Sequence, residues 1–448
     1  MTLRIGNGSG FWGDNLDAPI ELVRDGQLDF LTLEYLAELT MSILALQKKR
    51  NPQAGYASDF LDVLERLVPF LRAQPQLRIV TNAGGLNPGD CARRARSILD
   101  QAGLPDARIG VVSGSDLLPE LDRLLAEGHA LKHLDHGEPL WSIRDRVVSA
   151  DAYLGAAGIV HALAKGARIV ITGRVADASL TVGPLRHHFG WAENDWDRLA
   201  AATVAGHLIE CGAQATGGLW YRWEECSDLA GVGYPVVECE ADGSFVITKP
   251  TNSGGAVNRE TVAEQLLYEV NDPAAYHTPD VVADFTSVEI TDLGCDRVQV
   301  RGGRGQPAPD SYKVSIAYHD GFTAAGTLVI AGPKAAAKAR LCGEILLTRL
   351  RRAGFNPEHV HVEVLGAGDS LPGVLPTADP PEVVLRVAVR DPRREVVERF
   401  TKEFAPLVTS GPPGVTGYTT GRPAVREVHA YWPALISQKA VAPRVELI

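Results

Sequence analysis

The feature that most constrains this chain is an alternation, over its first two thirds, of short apolar runs with segments of helical periodicity. The apolar runs that predict strands are residues 3–5, 77–81, 107–112 and 167–172. The periodic segments that predict helices are residues 33–48, 60–71, 91–102, 117–126 and 152–164. Strands that alternate with helices are typical of βαβ units. We therefore predict an α/β fold with a mainly parallel sheet flanked by helices.

The pattern changes after about residue 283. The remaining segments predict β ribbons at 288–300 and 313–330, helices at 333–352 and 393–407, and strands at 360–365 and 383–389. The order β-β-α-β-β-α indicates a smaller α+β domain of ferredoxin-like type. A chain of 448 residues has room for two or three domains. We expect an α/β domain at 1–282 and an α+β domain at 283–448.

Charge and composition exclude several classes of partner. Lys and Arg number 44 and Asp and Glu 55, a net charge of −11 with no long basic run, which disfavours nucleic acid and anionic membranes. The N-terminus lacks a secretory pattern, and the apolar stretch 152–164 falls short of the ~20 residues that span a bilayer. Six scattered cysteines without a C-x-x-C pair predict reduced thiols. We expect a cytoplasmic homo-oligomer.

In parallel sheets, ligands bind at the carboxyl ends of the strands, which selects the loops after Ile5, Thr81 and Thr172. The first loop contains Gly8, Gly10 and Gly13 in G-x-G-x-x-G spacing, followed by Asp14. Its backbone amides are expected to bind a phosphate or carboxylate. A nicotinamide site and a purely structural turn are the alternatives, so the cofactor stays unknown.

The other two loops carry polar side chains directly after their strands. Asn82, Gly84 and Gly85 suit hydrogen bonding to an oxyanion or carbonyl, or else form a simple turn into the next helix. Arg174 is predicted to hold a substrate carboxylate through its planar fork. Asp177 is expected to orient Arg174 or to act as a base, unless the two only cap a helix.

A fourth candidate places four reactive side chains within eight residues: His207, Glu210, Cys211 and Gln214. In a helix, His207 and Cys211 share one face, as do Glu210 and Gln214. The imidazole beside the thiol predicts a nucleophile, and the Glu210 carboxylate predicts a general base. A small buried cysteine of the core is the structural alternative.

Two further segments are weaker candidates. The Gly-rich loop at 410–422 offers Thr419 and Arg422 as anion ligands, or it is a wide turn or an oligomer contact. The histidines His129, His133 and His136 lie between two glycines and complete no metalloprotease pattern. We predict no metal site.

Long blocks of this sequence resemble the acyclic terpene utilisation (AtuA-type) protein family. They are residues 81–85, 173–177, 207–218, 283–287 and 410–418, and the resemblance runs from the glycine loop to Arg426. It implies a role in degrading branched isoprenoid acids through coenzyme A thioesters, without fixing a reaction or catalytic residues. Longer members carry an extra C-terminal ferredoxin-like domain, so we expect this chain to be the core module, with room for a separately encoded partner of that fold.

Our leading hypothesis is a catabolic enzyme that acts on a small carboxylic acid or its acyl-CoA thioester. Lyase or hydratase chemistry is favoured because no cofactor fingerprint is complete. Arg174 would hold the carboxylate, Glu210 or His207 would move the proton, and the glycine-loop amides would stabilise an oxyanion. The alternatives are a non-catalytic scaffold or binding subunit that requires a small partner protein, and an NAD(P)-dependent oxidoreductase.

Overall fold

The computed structural model of the chain describes residues 2–376, 379–417 and 421–448. The helices are α1 (Ala18–Asp25), α2 (Glu38–Arg50), α3 (Asp59–Ala73), α4 (Pro88–Gln101), α5 (Leu121–Ala126), α6 (Ala157–Ala164), α7 (Ser179–Phe189), α8 (Trp196–Glu210), α9 (Arg259–Leu267), α10 (Ala335–Arg352), α11 (Arg394–Thr401) and α12 (Leu407–Ser410). Short 3-10 turns connect several of them.

The strands are β1 (Leu3–Asn7), β2 (Phe30–Leu33), β3 (Arg78–Thr81), β4 (Ile109–Ser113), β5 (Val147–Ala152), β6 (Ile169–Thr172), β7 (Val236–Cys239), β8 (Phe245–Thr248), β9 (Tyr276–His277), β10 (Val282–Asp284), β11 (Glu289–Asp292), β12 (Val298–Arg301), β13 (Arg304–Gln306), β14 (Ser311–Ala331), β15 (His359–Leu365), β16 (Glu382–Asp391), β17 (Val415–Gly417), β18 (Arg426–Ser437) and β19 (Arg444–Leu447). Two compact units divide the chain: Met1–Ala317 with Tyr431–Ile448, and Tyr318–Ala430.

The first unit is built on a ten-stranded sheet in the order β11-β12-β8-β7-β1-β2-β3-β6-β4-β19. Its centre, β1-β2-β3-β6-β4, is parallel, and the strands outside this centre pair antiparallel. The central strands are almost completely buried, as expected for a sheet covered by helices on both faces. The predicted α/β fold with a largely parallel sheet flanked by helices is confirmed.

The order of the central strands decides which face each helix covers. The chain advances from β1 to β2, β3 and β4, and then returns to place β6 between β3 and β4. Because βαβ crossovers are right-handed, this return puts α6 on the face opposite α1, α3 and α4. Helices α7 and α8 pack in succession onto α6 and complete that second layer.

Local sequence explains where these helices begin and end. Asn87 caps α4 by accepting a hydrogen bond from the Asp90 amide, and Pro88 occupies the first turn, where no amide partner is needed. Helix α3 buries one apolar stripe against the sheet. Helix α8 is buried along almost its whole length, because its residues from Leu199 onward are mostly small and apolar.

The second unit contains four antiparallel strands in the order β15-β16-β14-β17. They belong to a six-stranded sheet in which β18 and β5 also pair with β14. Its elements follow one another as β14, α10, β15, β16, α11 with α12, and β17, which is the β-α-β-β-α-β arrangement of ferredoxin-like folds. The predicted α+β region of ferredoxin-like type is therefore present. The predicted element order differs, since one strand precedes α10 and the last strand follows α11.

The units divide at a different place from the predicted boundary after residue 282. Strands β11 and β12 form the ribbon expected in the second domain, yet they pair into the ten-stranded sheet through β8. The ribbon expected at 313–330 is one continuous strand, β14.

Two predicted helices begin later than expected. The helix predicted at 33–48 begins only at Glu38, because residues 30–33 are the buried strand β2. Likewise, Ala152 ends strand β5 instead of opening a helix.

Within the described part of the chain, no helix combines the length and the apolar character needed to cross a bilayer. All six cysteines are free thiols, three of them buried in the core.

We expect Gly326→Ala to destabilise the second unit by about 1–3 kcal/mol, the usual cost of overpacking a core. A methyl group on Gly326 would meet the ring of Phe404, which is itself packed against Phe400. Hydrogen–deuterium exchange of the β16 amides, which pair with β14, measures the loss of protection. The control is Ala325→Val on the exposed face of β14, which should leave protection unchanged. Equal protection in both variants would contradict this packing.

Candidate functional site

The candidate site lies where the order of the parallel strands reverses. β3 and β6 are neighbours, but the chain leaves β3 through α4 on one face and leaves β6 through α7 on the other. Such a reversal opens a crevice at the carboxyl ends of the strands. Glu34, Asn82 and Arg174 follow β2, β3 and β6 within two residues, and their side chains meet here.

Arg174 is the centre of this cluster of side chains, with only 2% of its surface exposed. Its Nη1 donates to the Leu36 carbonyl at 2.8 Å and lies 2.8 Å from Asp177 Oδ1. The guanidinium carbon lies 4.1 Å from the centre of the Tyr153 ring, a cation–π contact. A buried charge needs such partners, and Nε is left without an acceptor. Asp177 is therefore placed to orient Arg174, as one of its predicted roles requires.

More carboxyl groups surround Arg174 than one cation can balance. Glu34 Oε1 lies 3.7 Å from Arg174 Nη1 and accepts a hydrogen bond from the Asn82 amide. Burial raises the pKa of Glu34 well above its usual range, with a further contribution from the Asp177 charge. Burial also raises the pKa of Asp177, although Arg174 opposes this rise. Both shifts favour the protonated form of these two groups.

Glu38 behaves in the opposite way. Burial opposes its ionisation, but Tyr153 donates to Glu38 Oε1 at 2.6 Å and Lys313 Nζ lies 3.2 Å from the same atom, and together they lower the pKa to about 2. The crevice therefore contains carboxyl groups whose pKa values are driven apart by their surroundings. That arrangement is characteristic of sites that separate an acid from a base.

His207 and Glu210 form a buried pair near the carboxyl end of α8. His207 Nε2 lies 2.9 Å from the Gln265 carbonyl oxygen, which only accepts, so Nε2 carries a hydrogen. Nδ1 lies 3.1 Å from Glu210 Oε1. Burial lowers the pKa of His207 and raises that of Glu210, and both shifts favour a neutral pair in which the Glu210 carboxyl donates to Nδ1. Glu210 Oε2 has no hydrogen-bond partner.

Cys211 follows the last residue of α8 and precedes a 3-10 turn. The hydrogen-bond partner of His207 Nδ1 is Glu210, three residues on in the same helix. Gln214 lies in the 3-10 turn and is half-buried. Burial, with a further contribution from Glu210, raises the pKa of the Cys211 thiol to about 12. Cys211, Glu210 and Glu269 bring ligand atoms within 4.8 Å of one another, so a metal ion is one group that they could hold.

The glycine loop supports the end of α8. The Asn7 side-chain amide donates to the carbonyls of Ile209 and Glu210, at 2.7 and 3.0 Å. A Cβ on Gly10 would lie 2.8 Å from the Cys211 carbonyl carbon, so only glycine allows this approach. The loop thus positions the His207–Glu210 pair.

Two amides expected to bind an anion already donate within the protein. Gly8 donates to the Thr32 carbonyl, and Gly10 donates to Asp14 Oδ2 at 2.8 Å. Gly13 has a φ of +100°, and α1 begins only at Ala18, so no helix N-terminus follows the glycines as dinucleotide binding requires.

The loop after β3 is also tightly packed. A Cβ on Gly84 would contact the Thr172 carbonyl oxygen, and Gly85 has a φ of +49° with its amide donating to the Asn82 carbonyl. Asn82 is fully buried, and its Oδ1 accepts from the Tyr35 amide at 2.9 Å. These residues brace the crevice from the β3 side.

Of the C-terminal candidates, Arg422 is exposed and belongs to the second unit, while Thr419 lies outside the described residues. The rings of His133 and His136 stack with centroids 3.7 Å apart beside Trp432. His129 is half-buried in the same segment.

Most of the site residues that the sequence analysis did not name carry no local signal in the sequence. Glu34 is the exception, because it directly follows a buried strand, as Asn82 does. The others belong to none of the predicted site motifs: Glu38, Tyr153, Gln265, Glu269 and Lys313. Sequence reasoning could not find them, because only the tertiary fold brings them to Arg174 and Glu210.

The fold and the site define an α/β protein with a cluster of acid–base groups at the carboxyl edge of its sheet. A family model described as "Acyclic terpene utilisation family protein AtuA" matches residues 3–447. The chain therefore belongs to the acyclic terpene utilisation family, as the resemblance predicted, and the family's description indicates a role in catabolism. Comparison with curated proteins and with solved structures gives no match.

The Glu38 contacts predict a pH-dependent contribution to stability. Because the pKa of Glu38 falls from an ordinary 4.5 to about 2 on folding, the ionised group stabilises the fold above pH 4.5 and loses this effect as the pH falls towards 2. Glu38→Gln should cost up to ~1 kcal/mol at neutral pH, since the side chain is 40% exposed and screened. Thermal unfolding against pH measures this, with the exposed Glu224→Gln as control. A cost that persists unchanged at pH 2 would contradict the assignment.

Cys211 should be a poor nucleophile in EDTA-treated protein at neutral pH. With a pKa of about 12, its thiol is almost entirely protonated, and thiolate is the reactive form. We expect iodoacetamide at pH 8 to modify the exposed Cys295 well before Cys211, and the Cys211 rate to keep rising at higher pH. Peptide mass spectrometry follows both sites. Comparable rates at pH 8 would instead support the covalent role predicted for Cys211.

Proposed function

We propose that this chain is a catabolic enzyme that transfers a proton on a small carboxylic acid or its coenzyme A thioester. The reaction is of lyase or hydratase type, in the degradation of branched or isoprenoid acids. The observation that supports it is the buried His207–Glu210 pair, which shares one proton and keeps Glu210 Oε2 free of partners. The family's catabolic role supports the substrate class.

The pair is suited to general acid–base work because its tautomer is fixed. The Gln265 carbonyl holds the hydrogen on Nε2, so Nδ1 is the position through which the proton passes to or from Glu210. Glu210 in turn presents Oε2 to a reacting atom. A proton taken from the carbon next to a carbonyl can then be returned to a leaving group by the same pair.

Positive charge for the substrate carboxylate comes from two side chains. Arg174 supplies a fixed, buried cation at the base of the crevice, and its Nε has no acceptor. Lys313, whose side chain is 44% exposed, is the cation that solvent reaches, and it lies over the same Tyr153 ring as Arg174. We assign carboxylate binding to Arg174 with Lys313.

Stabilisation of an enolate-like oxyanion is assigned to the hydrogen that Glu210 Oε2 carries after it has taken the substrate proton and its original proton has passed from Oε1 to His207 Nδ1. The amides of Gly8, Gly10 and Gly85 already donate to protein acceptors and are poorly placed for this role. A neutral carboxyl in a buried site donates a strong hydrogen bond to developing negative charge.

The test is deuterium exchange from D2O at the carbon next to the carbonyl, followed by NMR over a panel of branched carboxylic acids and their coenzyme A thioesters. Glu210→Gln removes the ionisable proton and keeps the shape, and it should slow exchange by about 100- to 10,000-fold. His207→Gln should give a comparable loss.

The matched control is Glu224→Gln, an exposed change that should leave exchange at the rate of the unmodified protein. Glu210→Gln that exchanges at the full rate would overturn the role of the pair. No exchange with any member of the panel would overturn proton transfer on this substrate class.

A further inference from the structure

Several buried hydrogen-bond acceptor atoms beside the His207–Glu210 pair have no donor. Glu210 Oε2 and Gln265 Oε1 are buried and have no hydrogen-bond partner. One carboxylate oxygen each of Glu210 and Glu269 lies within 4.8 Å of the other and of the Cys211 sulfur. Oxygens and a thiol sulfur that face one another without a shared donor repel when ionised, and a cation removes that repulsion.

Gln265 is an observation independent of this acidic group. It is fully buried, it lies against the Cys211 thiol, and its Nε2 donates to the His207 carbonyl at 2.9 Å. That hydrogen bond fixes the amide and leaves Oε1 as a buried acceptor without a donor. Such atoms are rare in folded proteins, and this one is available to a bound ligand.

The ion pairs in the surroundings leave room for a positive ligand. Among the described residues, neither Glu210 nor Glu269 forms an ion pair with a lysine or an arginine, and the only charged partner of Glu210 is the His207 ring. The buried cation Arg174 is engaged by Asp177, whose Oδ1 lies 2.8 Å from Arg174 Nη1.

We propose that Glu210, Cys211 and Glu269 bind a divalent cation of the zinc class, with Gln265 Oε1 as a neutral ligand from the buried side. A thiolate with carboxylates favours Zn²⁺ over Ca²⁺ or Mg²⁺, which prefer oxygen alone. No ligand spacing predicted this site, because the ligands come from the end of α8 and from α9 with the residues that follow it.

The proposal of cation binding does not depend on the proposed proton-transfer reaction, although Glu210 takes part in both. In the cation-bound form Glu210 is a carboxylate, and the shared proton resides on His207. Both imidazole nitrogens then donate, Nδ1 to Glu210 and Nε2 to the Gln265 carbonyl, so the two hydrogen bonds are retained.

The experiment titrates EDTA-treated protein with Co²⁺ alone, without substrate, and records the thiolate-to-cobalt charge-transfer absorption in the near ultraviolet. We expect one equivalent of Co²⁺ to produce the band and Zn²⁺ to displace it. Cys211→Ser should abolish the band, and Glu269→Gln should weaken affinity by at least tenfold.

Matched controls are Cys295→Ser, which removes the exposed thiol, and Cys239→Ser, which removes a buried thiol on β7. Both should retain the band. Glu269 is exposed, so Glu269→Gln tests the site even if Cys211→Ser fails to fold. Absence of the band in the unmodified protein, its survival in Cys211→Ser, or unchanged affinity in Glu269→Gln would overturn the proposal. Deuterium exchange is measured separately, so its failure leaves this result standing.

Discussion

The buried guanidinium of Arg174 is the interaction on which the site depends. A charge removed from water is tolerated only when counter-ions and acceptors surround it, because its desolvation costs several kcal/mol. The fold meets this need with groups that follow different strands: Glu34 after β2 and Asp177 after β6, together with the Leu36 carbonyl and the Tyr153 ring. The reversal of strand order at β3 and β6 is what allows loops from both faces to reach one point.

The site contains more carboxyl groups than cations, and the pKa values of these carboxyl groups therefore differ. Glu38, bonded to Tyr153 and Lys313, has a lowered pKa, while burial and neighbouring charges raise the pKa values of Glu34 and Glu210. The site therefore combines a carboxyl group that ionises readily with carboxyl groups that retain their protons more strongly. Neither state could be assigned from residue type, since all three are glutamates and only their neighbours differ.

Features that depend on residues close together in sequence could be predicted from the sequence, whereas features that depend on contacts between distant segments could not. Strand-end polar residues such as Asn82 and Arg174 were found, because an apolar run that stops at a polar residue is a local signal. The partner of His207 needed the structure: helical spacing placed Cys211 on its face, four residues on, and the hydrogen bond of Nδ1 goes to Glu210, three residues on. Tyr153, Lys313 and Gln265 could not be found, since their roles exist only through contacts between distant segments. The domain boundary shifted for the same reason, because β11 and β12 join the first sheet by long-range pairing.

The position of Glu210 links the two proposals by a single proton. With no cation, the proton lies between Glu210 and His207, and Oε2 is a potential acid. A bound cation requires the carboxylate, and the same proton then belongs to the imidazole, which can hold it without losing either hydrogen bond. The proton of the Glu210–His207 pair therefore stays within the protein, whereas the Cys211 thiol releases its proton to solvent when it binds the cation as a thiolate. The glycine loop contributes by fixing the backbone at this junction: Asn7 holds the carbonyls of Ile209 and Glu210, and Gly10 packs on Cys211. Its close approach to the end of α8 explains glycine at this position without invoking a bound phosphate.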